Sequence, residues 1–125
     1  MCMNDSFDKP KFRLRVVFGP DEMMGPGKAE LLERIDATGS ISAAGREMRM
    51  SYKRAWQLVE TMNTMFRDPL IQSTRGGPKG GGAVLTDAGK AVLASYRGLE
   101  SEARRAGSQH IETLQSMLRD MSEGR

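Results

Sequence analysis

A stripe of apolar residues in the middle of the chain restricts the fold more than any other feature. Its members recur at intervals of one, three or four residues, as they do along one face of an α-helix. They are Ala55, Leu58, Val59, Met62, Met65 and Phe66. Ser51 can cap the start of this helix, and Asp68–Pro69 ends it because a residue before proline disfavours helical backbone. The chain must therefore pack one face of a helix of roughly four turns into a core.

Two shorter helices are predicted before this stripe. The first begins at Pro26, where the missing N–H costs nothing, runs to about Ala37 and is stopped by Gly39. Ser40 is a good N-cap for the second. The core-facing positions are Leu31, Leu32 and Ile35 in the first helix and Ile41, Ala44 and Met48 in the second. Small residues crowd the second helix, which allows a neighbouring helix to approach closely.

Extended structure is predicted at two places. Lys11–Phe18 alternates apolar and basic residues, which indicates a half-buried strand, and residues 19–27 form a turn-rich loop. Farther on, "LIQST" and "AVLT" are β-prone segments joined by the glycine run Gly76–Gly82, which predicts a hairpin. Thr86 then caps a long helix, whose apolar stripe breaks near Gly107–Ser108.

This order of elements is the winged helix-turn-helix arrangement, mostly α with a small β-hairpin wing and a long C-terminal helix. In such a fold the third helix fits the major groove of DNA, while the wing lies beside it. Glycines at the wing tip let the main chain approach phosphates. We expect residues 1–86 to form the N-terminal strand and the DNA-binding domain, and residues 87–125 to form a C-terminal dimerisation element.

Charge is concentrated in the middle of the chain. The net charge is +3, from 19 basic and 16 acidic residues. Between Gly45 and Gly82, seven basic residues against three acidic residues give +4, which leaves −1 for the rest. A basic middle fits a polyanionic partner, although it also fits a solvated surface, and the glycine run also fits a plain flexible turn.

Composition excludes several classes of protein. A chain of 125 residues fits one domain, and its single cysteine, Cys2, allows no intrachain disulfide. Its apolar segments are far shorter than the ~20 residues of a membrane span. The N-terminus has no apolar signal region, so we expect a cytoplasmic protein.

The polar residues form no recognisable catalytic, nucleotide-binding or metal-binding motif. The glycine run does not match the phosphate-binding pattern GxxxxGKS/T, because Lys79 is followed by Gly80 and then by a strand. His110 has no cluster of metal-ligating residues nearby in sequence. We therefore expect neither an enzyme nor a cofactor, with no catalytic and no metal-binding residues.

Two stretches of the chain resemble a known family. "ATGSISAAGREMRMSYKRAWQLVETMN" and "GGPKGGGAVLT" are similar to the N-terminal DNA-binding domain of the ModE-type molybdate-responsive transcriptional regulators, and more distantly to the LysR-type winged helix-turn-helix. The resemblance covers about Pro26 to Tyr96 and implies DNA binding as a dimer.

The chain also departs from this family in two respects. The family's wing commonly reads GGKGGGG, whereas here Pro78 precedes a displaced Lys79. Full-length members carry molybdate-binding modules of small β-barrel type, whereas the residues after Thr86 have a helical pattern. We therefore expect no metal-oxyanion effector to act through this chain alone.

The candidate DNA contacts are polar or basic residues at the starts of two helices and on the wing. They are Ser40, Ser42, Ser51, Tyr52, Lys53, Arg54, Gln57, Arg75 and Lys79. Arg54 can fork onto guanine, Lys53 can reach a base or a phosphate, and Gln57 can pair with adenine or face water. Helix N-termini hold phosphates at the serines, and the two wing cations suit backbone contacts. Trp56 is predicted to pack rather than to stack on a base.

Two functions therefore remain. One is a sequence-specific DNA-binding regulator that acts as a homodimer, and the other is a winged-helix protein–protein interaction module without a DNA target. Charge favours the first, because a protein-binding wing does not need seven basic residues across the turn, the recognition helix and the wing. The stripe on the last helix predicts the dimer contact, unless it covers the domain's own core; its members are Val92, Tyr96, Leu99 and Ala103.

Overall fold

The computed structural model describes residues 10–74 and 82–119 of the chain. In those ranges the chain forms five helices and two antiparallel hairpins. The elements are β1 (Val16–Gly19), β2 (Glu22–Met24), α1 (Pro26–Thr38), α2 (Ile41–Glu47), α3 (Tyr52–Met65), β3 (Ile71–Thr74), β4 (Gly82–Leu85), α4 (Asp87–Ala106) and α5 (Ser108–Ser116). The predicted fold class, mostly α with a β-hairpin wing formed by β3 and β4, is confirmed.

The helix boundaries follow the local signals in the sequence. Ser40, Ser51 and Thr86 each accept a hydrogen bond at 3.0 Å from the backbone N–H three residues further on. Gly39 ends α1 in the left-handed region at φ 74°, where a residue without a Cβ is favoured. The predicted break near Gly107 separates α4 from α5.

The core forms around α1. Its largest fully buried side chains are Leu31, Leu32, Ile35, Met62 and Leu70. From the predicted stripe of α3, Ala55, Val59 and Met62 are buried, while Leu58 and Phe66 pack at the edge of the core. On α4, buried Tyr96 joins the same cluster, so the first half of this helix also covers the core.

The N-terminal strand differs from its prediction. Residues 11–15 are unpaired, and β1 instead pairs with β2, where the sequence predicted a loop. Side-chain exposure nevertheless alternates from Lys11 to Val16 as expected. The carbonyl of Leu14 accepts a hydrogen bond from the hydroxyl of Tyr96 at 2.6 Å. A contact with α4, distant in sequence, therefore fixes this segment, and no local pattern reveals it.

Polar contacts fasten α1 to its neighbours. Arg97 on α4 donates two hydrogen bonds to Glu33 at 3.0 and 2.8 Å and a third to Glu100 at 2.8 Å. The hydrogen bonds from Arg97 lower the pKa of the Glu33 carboxyl.

Within the described residues, none of these helices is long and apolar enough to cross a membrane.

Candidate nucleic-acid interface

The helices α2 and α3 pack directly against each other at Gly45 and Ala55. A Cβ placed on Gly45 would lie 2.9 Å from the Cβ of Ala55, so no larger residue fits without movement. This confirms the close approach that the small residues predicted. The turn between the two helices contains Arg49 at φ 60°, which an L-residue adopts at some cost. The helix-turn-helix is therefore held by close backbone packing.

The outward face of α3 carries several of the predicted contact residues. Tyr52, Lys53 and Gln57 are exposed and, with Trp56 and Glu60, line a shallow groove of about 470 Å³. The Tyr52 and Trp56 rings meet edge to face, with 6.2 Å between their centroids. This face presents a cation, an amide and an aromatic hydroxyl together, a combination suited to base edges and phosphates.

Trp56 packs against the core as predicted. Its indole Nε1 is buried and has no hydrogen-bond partner among the described residues. Most buried polar groups have such a partner. The side chain therefore serves mainly as the apolar support beneath the exposed face of α3.

The two basic residues of α3 have no acidic partner in the described part of the chain. No carboxylate lies within salt-bridge distance of Lys53 or Arg54 in residues 10–74 and 82–119. Glu47, the last residue of α2, pairs with Arg34 of α1 at 2.9 Å. Unpaired cations on an exposed helix leave a positive potential available to a polyanion.

The side chain of Arg54 does not line the groove that contains Lys53 and Gln57. It lines a different cleft, shared with Lys28 of α1 and with residues of the N-terminal segment. Three of the predicted contacts, Tyr52, Lys53 and Gln57, thus lie together, whereas Arg54 lies on the flank of the helix.

The predicted phosphate contacts at α2 are already engaged with each other. The Ser40 hydroxyl oxygen accepts the N–H of Ala43 at 3.0 Å and lies 3.4 Å from the Ser42 hydroxyl. Ser51 caps α3 in the same way and is exposed. One hydroxyl hydrogen of the Ser40–Ser42 pair is used between the two serines, so the other one and that of Ser51 remain as donors to a phosphate.

The base of the wing is clamped to α3 by a residue that the sequence reasoning missed. Asn63 Oδ1 accepts the N–H groups of Leu70 at 2.8 Å and Ile71 at 3.0 Å, and its Nδ2 donates to the Ile71 carbonyl at 3.1 Å. These bonds join the recognition helix to the first wing strand. An asparagine inside a helical pattern was the only available signal.

A second clamp holds the wing from its other end. Thr86 caps α4 and also donates to the carbonyl of Pro69 at 2.7 Å. Ala83 donates to the carbonyl of Gly39 at 2.9 Å, so β4 adjoins the turn before α2. The predicted wing contacts Arg75 and Lys79 lie outside the described residues.

These elements define a class of protein. A short helix, a tight turn, an exposed basic helix and a clamped hairpin together form a winged helix-turn-helix. Residues 27–90 match the family model described as bacterial regulatory helix-turn-helix protein, lysR family. The chain belongs to this family.

Curated relatives agree with the resemblance inferred from the sequence. The chain is 47% identical over 78 residues to the molybdenum-pterin-binding protein MopB of Rhodobacter capsulatus, covering 62% of this chain and 29% of that protein. It is 38% identical over 97 residues to the molybdenum transport protein ModE of Azotobacter vinelandii, covering 78% and 34%. It is 38% identical over 71 residues to the DNA-binding transcriptional dual regulator ModE of Escherichia coli K12, covering 57% and 27%. The resemblance to ModE-type proteins is thereby confirmed.

The matched part is a minor share of these relatives. The chain covers 29% of MopB and 34% of the Azotobacter ModE protein, about a third of their length. The family model itself covers residues 27–90 of this chain.

Proposed function

We propose that the protein is a DNA-binding transcriptional regulator that inserts α3 into the major groove. The observation that carries this proposal is the exposed face of α3, where Lys53 has no acidic partner among the described residues and lies beside Gln57. An α-helix with its side chains fits the major groove, which is about 12 Å wide. The name of the Escherichia coli relative supports the same function.

Each predicted residue has a role in this proposal. Lys53 and Gln57 reach base edges, while Tyr52 supports them and contacts the backbone. Arg54 contacts guanine or the phosphates at the edge of the groove. The serines and the wing cations hold the DNA backbone; they are Ser40, Ser42, Ser51, Arg75 and Lys79.

Variants of α3 test this function. After selection of a preferred duplex from random DNA, Gln57→Ala should relax discrimination at one base pair by about 1–3 kcal/mol if it makes a bidentate contact. Lys53→Ala should weaken binding, whereas Lys90→Ala, an exposed lysine on α4, should not. Fluorescence anisotropy with matched and mismatched duplexes measures both effects. Equal binding by all three variants would exclude α3 as the reading helix.

The proposed regulator acts as a homodimer through residues 87–125. An apolar groove of about 320 Å³ runs between the first hairpin and α4, lined by residues that include Phe18, Phe66, Val92 and Leu99. Phe18 is 61% exposed and Leu99 47% exposed, although both are large apolar side chains. A second copy covering this face would remove them from water and present two recognition helices. Half-site centres would then lie about 34–36 Å apart or a multiple of that distance.

Leu99→Glu should convert the dimer into a monomer, because it places a charge in the apolar contact. Ser101→Glu, an exposed position two residues along the same helix, should leave the dimer intact. Sedimentation velocity at tens of micromolar measures the mass of each variant. A wild-type chain that sediments only as a monomer would contradict the proposed dimer.

The proposed regulator is cytoplasmic and uses no metal-oxyanion effector through this chain alone. Allosteric control needs a second site whose ligand favours one of two states. The matched region supports DNA reading rather than such sensing. A role as a protein–protein interaction module is less well supported, because it does not explain the unpaired cations of α3.

A further inference from the structure

A second basic surface lies beside α3. A cleft of about 570 Å³ opens between the N-terminal segment, the start of α1 and the first turns of α3. Four cationic side chains line it, namely Arg13, Arg15, Lys28 and Arg54. Methionines and Leu58 supply the apolar part of its wall, and no acidic residue of the described ranges contributes to the lining.

The charges of this cleft are not balanced by the described part of the protein. None of the four cations lies within salt-bridge distance of a carboxylate in residues 10–74 and 82–119. Lys28 Nζ donates to the carbonyl of Met23 at 2.8 Å, which leaves its charge uncompensated. Partial burial, together with the charges of Arg54 and Arg15, lowers the pKa of Lys28. Cations that repel one another in a cleft are stabilised when an anion enters it.

The start of α1 adds to this potential. Gly25 precedes the helix without a side chain that could cap it, and the first turn contains no acidic residue. Gly27 in that turn lines the cleft, and a Cβ there would meet nothing within 4 Å. The partial positive charge of the helix N-terminus therefore supplements the four side chains.

The cleft and the wing lie on opposite sides of α3. Arg54 faces the cleft, and Asn63 binds the wing strand. These residues are nine positions apart, about two and a half helical turns, so they point in opposite directions from the helix axis. Lys53 and Gln57 lie between them on the outward face. Because a phosphate backbone borders each side of the major groove, a helix in the groove has one backbone on each flank.

Given DNA binding as the proposed function, we infer that Arg13, Arg15, Lys28 and Arg54 bind a phosphate of the DNA backbone on the flank of α3 away from the wing. The N-terminal segment then acts as a second flanking contact. It orients the recognition helix together with the wing and adds affinity that does not depend on base sequence.

Gly27→Asp tests the site with a variant that retains its fold. The carboxylate would pair with the cations of the cleft and complement the helix dipole, so the variant should melt at or above the wild-type temperature. It should bind all duplexes more weakly. The negative slope of log K against log salt should become shallower by about 0.9 for each lost phosphate contact. Ser101→Asp places the same charge at an exposed position of α4 away from the apolar groove and should leave that slope unchanged.

Two further variants change the charge in other ways. Gly27→Lys should act in the opposite direction, with tighter DNA binding and a lower melting temperature. Arg13→Gln with Arg15→Gln should weaken binding without lowering the melting temperature, because it removes two charges that have no ion pair among the described residues. A structural role for these cations would instead lower the melting temperature of the double variant.

The possible outcomes separate this site from the proposed function. A slope made shallower by Gly27→Asp but not by Ser101→Asp supports the site. If the two aspartate variants have the same salt slope while Lys53→Ala still weakens DNA binding, the proposed flanking site is wrong. The proposed role of α3 as the recognition helix is then unaffected. If no variant changes DNA binding, the proposed function itself fails.

Discussion

Replacing Gly89 by alanine is expected to lower the free energy of unfolding by about 3 kcal/mol, near the upper end of overpacking effects. Gly89 lies in the first turn of α4, where a Cβ would be 2.2 Å from the carbonyl oxygen of Leu70. That oxygen belongs to the backbone at the base of the wing, which the Asn63 and Thr86 clamps hold in place. The clash therefore cannot be relieved by a side-chain rotation.

The same helix supplies a control for this variant. Gly98 is exposed, and a Cβ there would meet nothing within 4 Å. Gly98→Ala should raise the free energy of unfolding by up to about 1 kcal/mol, because alanine favours helical backbone. Urea denaturation followed by circular dichroism compares the two variants. Similar stability for both would show that α4 does not approach Leu70 closely.

Asn63→Ala should lower the free energy of unfolding by about 3 kcal/mol, because it removes three hydrogen bonds and leaves the N–H groups of Leu70 and Ile71 without their acceptor. It should also weaken DNA binding without changing the preferred sequence. The proposed base contacts of α3 are untouched, but the wing is no longer fixed to the helix.

Asn63→Asp is the matched variant for this clamp. Its carboxylate still accepts the two N–H groups, although it cannot donate to the carbonyl of Ile71. We expect a loss of about 2 kcal/mol, because the carbonyl of Ile71 loses its donor and faces a carboxylate oxygen instead. Thermal unfolding and anisotropy measure both variants. If alanine and aspartate cost the same stability, the two accepted hydrogen bonds do not hold the wing.

The helices could be predicted because their signals are local. Ser40, Ser51 and Thr86 cap helices through bonds to residues three positions away, and Gly39 ends α1 by its own backbone conformation. Gly107 marks the break before α5. Each of these features depends on a few neighbouring residues, which the sequence displays directly.

Two features were missed, one short-range and one long-range. The strand β2 is only three residues long and exists through its pairing with β1, which precedes it directly in the chain. The Tyr96–Leu14 bond joins residues 82 positions apart. Neither has a periodic pattern, because each depends on pairing with another segment.

The candidate site was predictable only in part. Helical spacing alone brings Lys53, Gln57 and Glu60 to one face, and the structure has them lining one groove. The side chain of Arg54 points away from that face of the helix. It lies near Lys28, which belongs to α1. The contribution of α1 and the N-terminal segment to a basic cleft required the tertiary fold.

Titration of DNA binding against salt is the most direct test that this protein is a DNA-binding regulator. With the wild-type chain and a selected duplex, the account predicts that log K falls linearly with log salt. If each protomer of a dimer neutralises at least two phosphates, the slope should be about −3.6 or steeper. A binding constant that stays flat from low to moderate salt, or no binding to any duplex in the selected pool, would contradict the account.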